Sequence, residues 1–260
     1  LLKAFTGASL LFAAQSQAAA IVLYYQNFEA PNESFYVTPN WLDLNIDQSV
    51  NYFYGGQQGA TFSQQFTVET LNVTGSNVWG SGYSDPSNQG GNYAIGMLDG
   101  VHTGSNQNDL LAVTFDAQGY SFFNWSIDFS SIGIQSTSYS WDTTGLTPTF
   151  QFTLFSEQAG GLGGGTILGQ KTVTGTSSAR NVFDWTTATG GFDVSGDGDS
   201  LVTLRIDMLD GWYGALDNFR FVASDTENDL GPVGSSVPTP SSLVLMMLGL
   251  MGAARLKSRR

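Results

Sequence analysis

Apolar residues recur at every second position through much of this chain. In SFFNWSIDF (121–129) they are Phe123, Trp125, Ile127 and Phe129. The same period runs through Phe62, Phe66 and Val68, where polar Gln64 breaks it once, and through Phe150, Phe152 and Leu154. It returns in Val202, Leu204, Ile206 and Met208 and closes with Phe219 and Phe221. Successive strand side chains point to opposite faces, so each run turns one apolar face inward. The residues between are Ser, Thr, Asn, Gln, Arg and Asp, which suit solvent, and half-buried antiparallel strands read this way. Between the runs lie SGYSDPSNQGGN, QAGGLGGG and SGDGDS, which have loop composition. Helix signals are scarce. The expected fold is all-β, an antiparallel, jelly-roll-like β-sandwich in one domain over 21–223. Residues 224–236 (SDTENDLGPVGSS) lack periodicity and are expected to form a flexible spacer.

The two ends have a different character. LLKAFTGASLLFAAQSQAAA (1–20) joins a lysine, an apolar run and a small-residue end, the pattern of a secretory signal helix cleaved after Ala18 or Ala20. At the other end, Leu243 to Ala254 is apolar or small throughout, followed by Arg255, Lys257, Arg259 and Arg260. This short hydrophobic helix falls below the ~17 residues of the shortest ordinary membrane span. Its basic end is expected to stay on the cytoplasmic side, leaving the domain outside.

A spacer, a Pro-x-Pro, a short apolar helix and a basic terminus occur in that order. The arrangement resembles the PEP-CTERM sorting signal of exported bacterial proteins, carried here by Val237-Pro238-Thr239-Pro240-Ser241 and the 24 residues they open. One departure is Thr239, where that family usually has Glu. The resemblance implies export, transient inner-membrane insertion, recognition by an exosortase-type processing protease, and passage to the cell surface or extracellular matrix.

Charge narrows the partners. Between Glu29 and Asp229 lie all 22 acidic residues and four basic ones, Lys171, Arg180, Arg205 and Arg220, a balance of −18. Such a surface repels phosphate backbones and anionic headgroups, so no nucleic acid is expected as a partner. Cysteine is absent, so core burial, with or without metal, must hold the exported domain.

Two candidate sites follow. QNFEAP (26–31) opens the domain and GALDNFRF (214–221) closes it. They resemble the paired first and last strands of carbohydrate-binding-module-like jelly rolls. That resemblance implies a structural calcium ion held by Glu29 and Asp217, with Asn27 and backbone carbonyls completing the oxygen shell. A second acidic loop, Asp193, Asp197 and Asp199, reads as a solvated turn. Gly211-Trp212-Tyr213-Gly214 places two rings in a glycine-bracketed loop, a candidate stacking platform for sugar rings. No catalytic residues are assigned. His102 is the lone histidine, and no Gly-x-Ser-x-Gly turn accompanies it. The expectation is an exported, non-catalytic surface or matrix protein that binds polysaccharide. A structural matrix protein without a specific ligand and a polysaccharide-degrading enzyme are the alternatives.

Overall fold

A computed structural model describes residues 19–33, 49–65, 68–75, 82–99, 108–117, 119–132, 147–156, 161–198 and 200–232. The signal segment before Ala19, the Pro-x-Pro motif, the hydrophobic helix and the basic end lie outside the described residues, as do His102 and Asp199. Among the described residues no helix is long and apolar enough to cross a membrane.

The alternating segments form two antiparallel sheets. The six-stranded sheet contains β1 (Ile21–Gln26), β3 (Glu69–Asn72), β4 (Tyr93–Leu98), β6 (Phe122–Ser131), β9 (Thr186–Asp193) and β11 (Tyr213–Ser224), in the order β3-β4-β11-β6-β9. Strands β4 and β1 share one edge of β11 end to end: β4 pairs with Tyr213–Leu216 and β1 with Phe219–Ala223. The five-stranded sheet contains β2 (Thr61–Gln64), β5 (Leu110–Asp116), β7 (Thr149–Ser156), β8 (Ile167–Thr174) and β10 (Leu201–Asp210), in the order β2-β5-β10-β7-β8. One short helix, α1 (Val50–Tyr54), is capped by the Ser49 hydroxyl and leads into a 3-10 turn at Gln57–Gly59.

The predicted apolar faces meet between the sheets. Phe123, Trp125, Ile127 and Phe129 on β6 face Phe150, Phe152 and Leu154 on β7 and Val202, Leu204, Ile206 and Met208 on β10, all fully buried. The Trp125 and Phe152 rings lie 4.3 Å apart, centroid to centroid. Aromatic pairs of this kind add to the area they bury.

The polar residues between them depart from expectation. Asn124, Asp128, Ser130 and Thr203 are buried as well. On the six-stranded sheet, residues 226–228 lie on Asn124, the Asn218 and Thr187 side chains bond Asp128, and a second apolar cluster packs on the outer face. It comprises Leu71, Val73, Ala94, Ile132, Phe183, Trp212, Tyr213 and Ala215, with Tyr83, Leu98 and Trp185 packed against it. Buried polar groups need partners, and these have them. Asn124 accepts from the Asn228 N–H at 2.7 Å and donates to the Thr226 carbonyl at 3.0 Å.

Those last bonds also fasten part of the expected spacer. The expected flexible spacer from residue 224 is folded as far as it is described. Ser121 donates from N and Oγ to Asp225, and Ser224 Oγ donates to Asp229. The Arg220 guanidinium donates to the carbonyls of Leu230 (2.8 and 3.1 Å) and Pro232 (2.8 Å). Residues 225–232 are therefore held against the sandwich. They read as solvated in sequence, but Asp225 and Asp229 accept from Ser121 and Ser224, and the Thr226 carbonyl and Asn228 N–H bond the Asn124 side chain.

Candidate functional site

The alternation in GALDNFRF breaks at Asp217-Asn218, and the break builds the first site. Asp217 lies opposite Asp128 of β6, while Arg220 lies opposite Ser126, so β11 carries one residue more than its partner. A β-bulge of this kind re-aims side chains. Leu216 and Phe219 both join the inner core. Asn218 takes a left-handed φ of +50°, a conformation that Asn tolerates better than most residues.

Around the bulge lies an acidic pole. Asp217 is 1% exposed, and its Oδ1 accepts from the Asn218 N–H at 2.6 Å. Asn218 Nδ2 donates to Asp128 Oδ2 (3.0 Å) and to the Gln89 carbonyl (3.2 Å). Asp128 Oδ1 accepts from the Thr187 hydroxyl at 2.6 Å. Glu29, beyond the end of β1, accepts from Asn92 N (2.6 Å), Asn92 Nδ2 (2.7 Å) and Tyr93 N (3.0 Å). Gly91 makes that reach possible. Its φ is +55°, and a Cβ there would stand 2.3 Å from Glu29 Oε1. Asp85 closes the same loop by accepting from Gly90 N at 2.8 Å.

Burial pushes the Asp217 carboxyl up to about 9; Asp128, Glu29 and Asp85 add to the push, against the Asn218 N–H that favours the charged form. Like charges directly opposite in a sheet are destabilising. A buried carboxyl among three others is either held neutral by a proton or matched by a cation. The donors here are carboxylate, amide and carbonyl oxygens, the chemistry of a hard divalent ion such as calcium. Of the sequence-predicted residues, Glu29 is one of the charges that raise the Asp217 carboxyl. Asn27 instead accepts from the Glu29 N–H at 3.4 Å, within its own turn. Asp128 and Asp85 went unpredicted: strand pairing sets Asp128 opposite Asp217, and the loop closed on Gly90 brings Asp85 within its field. Among the described residues no three His, Cys, Asp or Glu side chains form a ready metal cage.

The aromatic candidates are not where a sugar platform requires them. Trp212 is 6% exposed and Tyr213 4%. Trp212 follows Gly211 (φ +114°) with a φ of +68° of its own. Both rings join the second apolar cluster, and the Tyr213 hydroxyl donates to Glu69 Oε1. The glycine bracket marks a tight turn between β10 and β11 that folds the rings inward. In the acidic loop, Asp193 Oδ1 accepts from Ser195 N (2.9 Å) and Oγ (2.6 Å), bonds that hold its carboxyl below the usual range.

A second surface was not singled out from the sequence. The outer face of the five-stranded sheet carries Ser63 (β2), Thr114 (β5), Thr203, Arg205 and Asp207 (β10), Gln151, Thr153 and Phe155 (β7) and Gln170 (β8). These positions alternate with the core residues of each strand. Hydroxyls and amides pair across strands: Thr114 with Thr203 at 2.9 Å and Gln170 Nε2 with Thr153 Oγ1 at 3.0 Å. Thr153 and Thr203 are buried, while Thr61, Asp116, Gln170 and Thr172 at the margins are exposed. Among the described residues no apolar cluster lies over this face.

No family model and no curated protein matches the chain. Among solved structures, it is similar to the C-terminal family 22 carbohydrate-binding module of Clostridium thermocellum Xyn10B, at 13% identity and a TM-score of 0.40, covering 79% of this chain and 96% of that one. It is similar to the K3 cleaved adhesin domain of Lys-gingipain from Porphyromonas gingivalis W83, at 9% identity and a TM-score of 0.40, covering 78% and 99%. A xylan-binding domain of family 22 aligns at 14% identity and a TM-score of 0.37, covering 75% and 99%.

Proposed function

We propose that this protein is an exported, non-catalytic polysaccharide-binding module, with its ligand face on the outer side of the five-stranded sheet. The observation that carries this reading is the character of that face. Side-chain hydroxyls and amides from five strands stand on one side of a sheet, and among the described residues no apolar cluster lies over them. Sugar hydroxyls are both donors and acceptors, and a surface of Thr, Ser and Gln meets them group for group. A rigid strand-borne array also holds its groups in register better than loops do. Retention of the full chain in affinity gel electrophoresis through soluble polysaccharides tests the reading. Wild type slows in at least one gel, and Gln151→Ala with Gln170→Ala restores much of the free mobility. Equal mobility with and without every polysaccharide rejects it.

The reading includes a calcium ion with a structural role, for which Asp217 would supply buried charge beside Glu29 and nearby carbonyls. Such an ion would offset the repulsion that Asp128, Glu29 and Asp85 exert on Asp217. The protein's own groups do the rest: Asn218 and Thr187 orient Asp128, while Asn92 and Tyr93 orient Glu29. For the ends of the chain, the proposal is cleavage of the signal segment 1–20, exosortase-type processing near Val237–Ser241, and delivery to the surface or matrix. The mass of the mature protein, in cells with and without that protease, tests it.

A further inference from the structure

Of the four basic residues of the domain, Lys171 alone lies on an edge strand. β8 has β7 on one side and, among the described residues, no strand on the other. An open edge is a template for another chain, and proteins guard theirs. Two edges here are guarded by amide side chains. Asn51 Oδ1 accepts from the Phe62 N–H of β2 at 2.9 Å, and Gln58 bonds both backbone groups of Tyr25 on β1. Lys171 is placed differently. It lies opposite Phe152 of β7, a core residue, so its stem starts on the inner side of the sheet, at the rim of the sandwich. From there Nζ donates to the Thr189 carbonyl of β9, the edge strand of the other sheet, at 2.6 Å. Beside it on the same side of β8, Gly169 lies under the Phe192 ring of β9; a Cβ on Gly169 would stand 2.2 Å from that ring. On the other side of Lys171, Val173 lies opposite Phe150 and packs against the inner core.

The rim along β8 would thus be apolar from Phe192 to Val173 were it not for the ammonium between them. β8 has the other marks of a pairing edge. Its 8 residues, ILGQKTVT, include no proline and no acid, and most are exposed, Ile167 at 56%. Consider two copies joined edge to edge at β8, antiparallel and with their inner faces on one side. That pairing sets the two Lys171 side chains opposite or diagonal to each other, roughly 5–8 Å apart, where like charges repel. It also covers part of the rim and strips water from each ammonium, which is costly for a charge without a counter-ion. An inward-pointing charge on an edge strand therefore works against association while leaving the fold itself undisturbed.

We infer that Lys171 guards the β8 edge against a second copy of this chain, and that its charge, turned inward at the rim, is what does so. The inference is independent of any polysaccharide ligand. The chain has no cysteine, so Gln170→Cys on the same strand reports one β8 meeting another. Full-length chains carrying Gln170→Cys are oxidised in mild detergent at ~0.15 M salt, where the Debye length of ~8 Å screens the repulsion between domains. The yield of disulfide-linked dimer is then measured, with sedimentation velocity of the same chains beside it. With Lys171 in place the yield is low. Lys171→Val raises it about tenfold or more. Lys171→Glu, which restores an inward charge of the other sign, holds it at the low level. A melting temperature at or above that of wild type shows that the fold survives. Lys171→Thr, another strand former, stands in for the Val variant if that one does not fold. A yield that neither Val nor Thr raises overturns the inference. A yield that Val and Glu raise equally overturns it too, because the bond to Thr189 and not the charge would then be the guard. Abundant dimer with Lys171 in place overturns it as well.

Discussion

Asp217 concentrates the chemistry of this molecule in one side chain. Its folded pKa of about 9 lies far above the ~3.9 of an unfolded aspartate. The folded state therefore binds the proton more tightly than the unfolded state does. The stability this contributes is complete below about pH 4 and is lost as pH rises toward about 9. Chemical denaturation in EGTA between pH 5 and pH 9 should show that decline, and Asp217→Asn should flatten it. If calcium binds as proposed, it should reverse the preference for that variant. At 100 times its Kd the ion adds ~2.7 kcal/mol to wild type, roughly 5–10 °C in a domain of this size. Asp217→Asn should lose most of that gain while melting no lower than wild type in EGTA. A wild-type midpoint indifferent to calcium would refute the ion. The neighbouring Gly91 is as particular: Gly91→Ala forces a Cβ onto Glu29 at a left-handed backbone position. It should cost about 1–3 kcal/mol by denaturant melt.

At the level of elements, strands with one apolar face were legible, because period-two alternation is what such a strand requires. β6, β7 and β10 lie where Phe123–Phe129, Phe150–Leu154 and Val202–Met208 put them. β8 was hidden. Its sequence ILGQKTVT, mostly exposed at the edge of a sheet, has too few buried positions to show a pattern. Alternation also assumes that polar means solvent, which fails wherever other segments cover the outer face; Asn124 is bonded by residues 226–228 and Asp128 by Asn218 and Thr187. The pairing of Asp217 with Asp128 was out of reach for another reason: their separation in sequence says nothing of strand order. Trp212 and Tyr213 misled because a glycine-bracketed aromatic pair marks a tight turn without saying which way the rings fold. Edges carry a further device. Gln58, at a left-handed φ of +52°, accepts from Tyr25 N at 2.9 Å and donates to the Tyr25 carbonyl at 2.6 Å, as a neighbouring strand would. Gln58→Ala removes both bonds from the open side of β1. Hydrogen exchange at Tyr25 should quicken, with about 1–2 kcal/mol lost overall.

For the whole molecule, the balance of −18 over the domain sets the response to salt. Self-repulsion in the compact state is screened as the Debye length shrinks from ~30 Å at 0.01 M to ~8 Å at 0.15 M. The melting temperature in EGTA should therefore rise across that range, and a fall would show that attractive ion pairs dominate instead.

The strap made by residues 225–232 brings the two ends of the described domain together. A side-chain carbon built on Gly231 would lie 3.5 Å from the Ala20 methyl, and Ile21 pairs with Ala223 on adjacent strands. A force applied through both ends would thus open the molecule like a zipper, freeing β1 from β11 one bond at a time. The Arg220 grip on Leu230 and Pro232 has to yield before the first strand bond is loaded. Under such a load, that grip is the mechanical fuse.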